Sequence, residues 1–227
     1  MGAICENIFL FGLGAAARYY ITAILKAVAR IVDAALIAQS EQASARPVSS
    51  SMPVNRTSYI IIDFERTLSG TRAKGKIDYS LVFQRSVVVP VLDATRLNVL
   101  HLESAIYPLA VQLETLRRQE YRAHVAKYPH IPSADISKYL DAYPRYGVVT
   151  TADYWVFIRY RKVGDKWKLE RTESILLDLA ERDLTIAQAA ALRETLDKVV
   201  NVLSGRTLDS VRNVQKVETL LAKHSIT

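Results

Sequence analysis

The sequence predicts an α+β fold: a mixed central sheet of about five strands flanked by helices, with additional helices at the C-terminal end. Three observations predict it. Residues 8 to 38 are apolar at helical spacing, residues 57 to 96 hold β-branched runs split by short turns, and residues 98 to 127 return to helical spacing before further strand-like runs at 146 to 174. With 227 residues, 50% of them apolar and 8% aromatic, the chain can bury a substantial core.

The first element, IFLFGLGAAARYYITAILKAVARIVDAALIA, is apolar enough to raise the question of a membrane span. Arg18, Lys26, Arg30 and Asp33 interrupt it, and at 100° per residue they fall in one sector of the helical wheel, so the reading is an amphipathic helix packing on the core and no integral membrane segment. Residues 1 to 38 form this N-terminal element, and 39 to 56, rich in Ser, Ala and Pro, read as a flexible linker. The core sheet and helix then occupy 57 to 173, and C-terminal helices of the same domain occupy 174 to 227.

Within the core, TSYIIIDFERTL reads as a strand, SGTRAKG as a turn, and GKIDYSLVF with VVVPVLDATR as two more strands joined at Gln84-Arg85. Pro90 is awkward in a central strand because it cannot donate to the ladder. A leucine stripe, Leu102, Leu109, Leu113 and Leu116, marks the next helix, in which Pro108 predicts a kink. One short helical turn fits near 136 to 143, followed by three strands with turns at Ala152-Asp153 and Gly164-Asp165. Residues 174 to 203 read as an amphipathic helix, capped at Asp183 or Thr185 and stopped at Gly205, with a last polar helix over 207 to 223.

Charge narrows the partners. A net charge of +7 favours something anionic, nucleic acid or an acidic lipid surface. The single Cys5 excludes an intrachain disulfide and a multi-cysteine zinc site, and His101, His124, His130 and His224 show no metal-ligand spacing. An intracellular location, nucleus or cytoplasm, is expected, with a secreted effector as the alternative. Basic side chains gather at Arg66, Arg72, Lys74 and Lys76 and again at Arg161, Lys162, Lys166 and Lys168, where they interleave with Tyr160 and Trp167 as a nucleic-acid-binding surface would. The C-terminal helices are candidates for contact with a protein partner.

Asp78 and Asp93 stand out because aspartate is depleted in strand interiors. Either they share a polar site or both face water at strand ends. The ordered set GKIDYSLV, VVVPVLDATR, a helix ending AVQLETLRR, and YGVVTTADYWVFIRY resembles the PD-(D/E)XK nuclease-like domain of the fungal and oomycete Crinkler-type family over residues 15 to 165. That resemblance implies a restriction-endonuclease-like core acting on nucleic acid, DNA in preference to RNA. It also implies that Asp78 and Asp93 are the catalytic pair that binds Mg²⁺. The pattern departs elsewhere: Thr95 stands where the family has lysine, Pro108 at a glutamine and Gly14 at a glutamate. Threonine is neither cationic nor a base near neutrality, and adjacent Arg96 can clamp a phosphate without taking a proton. The expectation is a nuclease-like pseudoenzyme that binds nucleic acid nonspecifically. An active Mg²⁺-dependent endonuclease with a site built from Asp78, Asp93 and a charge such as Arg96 or Lys76, or a protein-interaction module, are the alternatives.

Overall fold

The computed structural model describes residues 3 to 44, 59 to 69, 74 to 93, 102 to 177 and 184 to 224. Their elements run α1 (Ala3–Ser44), β1 (Ile60–Ser69), β2 (Lys74–Phe83), β3 (Ser86–Asp93), α2 (Leu102–Lys127), α3 (Ser133–Asp141), β4 (Arg145–Thr150), β5 (Tyr154–Val163), β6 (Lys166–Leu176) and α4 (Ile186–His224). The strands form one sheet in chain order, β1-β2-β3-β4-β5-β6. The strand pairs β1·β2, β2·β3, β4·β5 and β5·β6 are antiparallel, whereas α2 and α3 carry the chain back so that β4 pairs with β3 in parallel.

Each face of the sheet is covered for a reason visible in the side chains. On one face, α1 buries Ile21, Leu25, Val28 and Val32 completely, spaced one helical turn apart, against Leu81, Val89, Val91, Trp155 and Phe157. Val199, Leu203 and Val211 of α4 close the same core. A buried-side polar contact fixes the entry to β1: Asp33 Oδ1 accepts from the Tyr59 and Ile60 amides at 3.0 and 2.8 Å. On the other face, Ala105, Leu109 and Leu113 of α2 meet Val149, Val156 and Ile158. Gly147 in β4 makes that approach feasible, because a Cβ there would stand 3.0 Å from Leu109 Cδ1. No helix among the described residues is long and apolar enough to cross a membrane.

The six strands are those named from the sequence, with β6 a long edge strand reaching Leu176. Three expectations change. The first helix continues to Ser44, six residues into the expected linker, because Gln, Glu and Ala favour helix and no Gly or Pro stops it before Pro47; residues 45 to 58 lie outside the described set. The helix expected from 174 starts at Ile186, where Thr185 and Gln188 exchange hydrogen bonds as a capping box. Gly205 lies inside α4 instead of ending it. Its intrinsic cost of about 1 kcal/mol is outweighed by the burial of Leu203, Val211 and Leu221 on either side, so one helix replaces two.

Pro90 stands in a central strand where pairing is incomplete on one side: it faces Ser80 of β2, two residues beyond the bulge at Val88, and the ladder to β4 begins only at Val91.

The β2–β3 connection is a two-residue hairpin loop, since Phe83 pairs with Ser86. Gln84 and Arg85 both take positive φ, 47° and 69°, as a type I′ turn demands, though Asn-Gly is the favoured pair there. Replacing them with Asn and Gly should therefore raise stability by about 1 kcal/mol. A chemical denaturation midpoint equal to or below that of the parent would contradict the turn geometry.

Candidate nucleic-acid interface

Asp78 is half-buried in the middle of β2, at a place where the strand changes sides. Its neighbour Tyr79 packs edge-to-face on Phe64 in the α1/α4 core, with ring centroids 5.7 Å apart, while Ile77 is buried against Leu116 of α2. Alternation would put Ile77 and Tyr79 on one face. Glu65, between the partners of these two residues on β1, takes φ 54° and absorbs the difference. Across the other ladder, Tyr79 pairs with Val91, which sets Asp78 level with Leu92 and leaves Asp93 one residue out of step. Asp93 instead pairs, through its backbone, with Thr150 of β4.

The Asp93 side chain, Thr95, Arg96, Arg72 and the side chains of Lys74 and Lys76 lie outside the described residues. No three His, Cys, Asp or Glu side chains among the described residues gather as a metal-ligand set.

The β5–β6 hairpin can be followed side chain by side chain. Cross-strand partners are Arg159 with Glu170, Arg161 with Lys168 and Val163 with Lys166, so four cations and one carboxylate share a face. Glu170 is engaged by both arginines, at 2.6 Å from Arg159 Nη2 and 2.9 Å from Arg161 Nη2. Hydrogen bonds from Arg161 and then Arg159 hold its carboxyl below the usual range. Lys166 and Lys168 are exposed, and no carboxylate among the described residues pairs with either.

The opposite face of the same hairpin is structural. Lys162 reaches Asp141 Oδ2 at 3.3 Å, Trp167 stacks on Tyr160 at 4.7 Å between centroids, and the Arg117 guanidinium lies 4.9 Å above the Trp167 ring. Arg117 also forks onto Glu114 at 2.8 and 3.0 Å and reaches Asp141 Oδ1 at 3.1 Å. Burial alone would raise the Glu114 carboxyl, but hydrogen bonds from Arg117, Arg118 and Tyr160 prevail and hold it at about 2. Tyr160, buried beside that carboxylate, is pushed up to about 12. Trp155 and Phe157 are core residues, as their place on an inward-facing strand requires.

Of the expected binding residues, the hairpin thus brings Arg161, Lys166 and Lys168 onto one face and turns Lys162 to the other. Sequence reasoning missed a second basic grouping, in which Arg85, Lys127 and Arg145 join Arg66 around a cleft at the β2–β3 turn. Its one sequence signal was a two-residue hairpin loop made of Gln and Arg rather than Asn and Gly. Compared with known proteins, the chain matches no family model, no curated protein and no solved structure.

Proposed function

We propose that this protein binds nucleic acid without sequence preference, through the basic face of the β5–β6 hairpin, on a nuclease-like scaffold whose catalytic positions have eroded. One observation carries the binding reading. Arg161 and Lys168 face each other across the ladder, a like-charge pairing that costs stability, and the single carboxylate Glu170 offsets only part of the surplus from Arg159, Arg161, Lys166 and Lys168. A polyphosphate backbone supplies the missing anions at the spacing of successive side chains on a strand. The scaffold reading is supported by the element order, in which the Asp78 strand, the Asp93 strand, α2 and the YGVVTT strand follow one another as the resemblance requires. Thr95 in place of lysine supports the loss of catalysis, since no cationic or basic group then stands at that position to activate water.

Fluorescence anisotropy on single- and double-stranded DNA and RNA tests both parts. At low ionic strength the protein should bind all four, with affinity falling steeply as salt rises. Replacing Lys166 and Lys168 with Ser should weaken binding several-fold and flatten the salt slope by about 2, one for each phosphate contact removed. Absence of binding at low salt, or indifference to the double substitution, would remove the interface. Robust Mg²⁺-dependent cleavage by the parent chain that disappears in Asp78→Ala would replace the eroded-site reading with an active nuclease.

A further inference from the structure

Where the β2–β3 turn meets the C-terminal halves of α2 and α4 and the start of β4, a cleft of about 550 Å³ opens. Arg66, Arg85, Lys127 and Arg145 line it together with His124, against the carboxylates Glu120 and Glu218. Lys127 and His124 stand in the last turn of α2 and answer the partial negative charge of that helix end. Arg66, Arg85 and Arg145 do not. They come from β1, the hairpin turn and β4, and no helix end calls for them.

The carboxylates leave capacity over. Glu120 takes Arg145 Nη1, but Arg145 Nε is buried with no hydrogen-bond partner. Glu218 Oε2 takes Lys127 Nζ at 2.6 Å and the Tyr128 hydroxyl at 2.8 Å, while His124 donates Nδ1–H to the Glu120 carbonyl at 2.8 Å and sets Nε2 3.3 Å from Glu218 Oε1. Among the described residues, the carboxylate nearest Arg66 is Asp63 at 3.8 Å, and none pairs with the exposed Arg85. A buried donor with nothing to donate to, as Arg145 Nε is, is costly unless something in the cleft accepts from it.

The rim carries a second mark. Gln84 and Arg85 hold left-handed backbone without glycine, and a strained conformation kept by a bulky cationic residue at the mouth of a basic cleft is the pattern of a ligand-facing turn. We infer that this cleft binds a phosphate monoester, with Arg66 and Arg85 from the sheet closing over the dianion and Arg145 donating from the floor. A monoester fits better than a backbone diester because four cations line the concavity against two carboxylates, and a dianion with three terminal oxygens can use several donors at once. The site lies on a different part of the molecule from the hairpin face and does not depend on it.

The phosphate can come from a free nucleotide or from the end of a polynucleotide, and two measurements on the full chain separate these. In the first, calorimetric titration with a nucleoside 5′-monophosphate and with the matching nucleoside should show binding of the nucleotide alone. In the second, an oligonucleotide with a 5′-phosphate should bind at least tenfold tighter than its 5′-hydroxyl twin. A response in the first identifies a nucleotide site, and a response in the second alone identifies a strand end. Arg66→Gln with Arg85→Gln, both at the accessible rim, should abolish whichever preference is found while leaving the thermal transition in place. Lys166→Ser with Lys168→Ser should weaken both oligonucleotides alike and preserve their ratio, so failure of the hairpin interface and failure of this cleft are read separately. No discrimination in either measurement, or discrimination that survives the double arginine substitution, overturns the inference.

Discussion

Leu25→Asp is expected to abolish folding, whereas Ile31→Asp, six residues along the same helix, is expected to leave it intact. Leu25 is fully buried where α1 lies on the sheet, while Ile31 is 44% exposed on the far side. Six aliphatic side chains of α1, Ile21, Ile24, Leu25, Val28, Val32 and Leu36, are buried in this core. At about 1.5 to 3 kcal/mol each, their gross contribution is on the order of 10 kcal/mol, comparable to the whole net stability of a domain. An aspartate at position 25 loses its share of that burial and must also carry an unpaired carboxylate into an apolar contact or push the helix off the sheet. Soluble yield and a cooperative thermal transition by circular dichroism are the readouts. A Leu25→Asp protein that melts like the parent would mean that α1 does not dock on the sheet.

Why α1 could be placed from the sequence while other features could not follows from what each depends on. The 3.6-residue period of α1 and the stripe on α2 are local patterns, and the face each buries is written in its own side chains. The capping box at Thr185 is equally local, four residues long. By contrast, whether Gly205 ends a helix depends on whether Leu203 and Val211 find a core beyond it, a fact that resides in α1 and the sheet. Register is also nonlocal: the step between Asp78 and Asp93 follows from the bulge at Leu81/Val82, and the side change at Asp78 from the positive φ of Glu65 on another strand. The basic hairpin was legible because its lysines alternate in one strand, yet the turning of Lys162 toward Asp141 and of Trp167 toward Arg117 required α2 and α3 to be in place. The cleft at the β2–β3 turn draws on β1, α2, β4 and α4 at once, so no window of sequence contains it.

Arg117→Met should cost about 2 to 4 kcal/mol and should do so by stranding charges rather than by losing volume. The Arg117 side chain is only 17% exposed, holds Glu114 of its own helix and Asp141 of α3, and lies over Trp167 of the hairpin, so it ties three elements together at one point. Methionine keeps the stem but leaves two partly buried carboxylates short of a partner, the situation in which removing one side of an ion pair is most expensive. Arg118, Tyr160, Ser137 and Lys162 retain contacts with those carboxylates and keep the loss below the figure for a fully buried pair. Arg117→Lys should recover part of it, because an ammonium restores charge but not the two-pronged geometry.

The pH dependence gives the sharper reading. Glu114 titrates at about 2 in the folded protein against about 4.3 for an unfolded glutamate, so the unfolded chain takes up its proton first. Its contribution is therefore fully present above about pH 4.3 and is lost as pH falls toward 2, the sign expected of a depressed carboxylate. Glu114→Gln has nothing to protonate there. It should be less stable than the parent at pH 7, and the difference should shrink on acidification until the two chains converge near pH 2. Denaturation midpoints measured from pH 7 down to 2 check this. Two curves that fall in parallel across the interval would show that Glu114 is not held by Arg117, Arg118 and Tyr160 in solution.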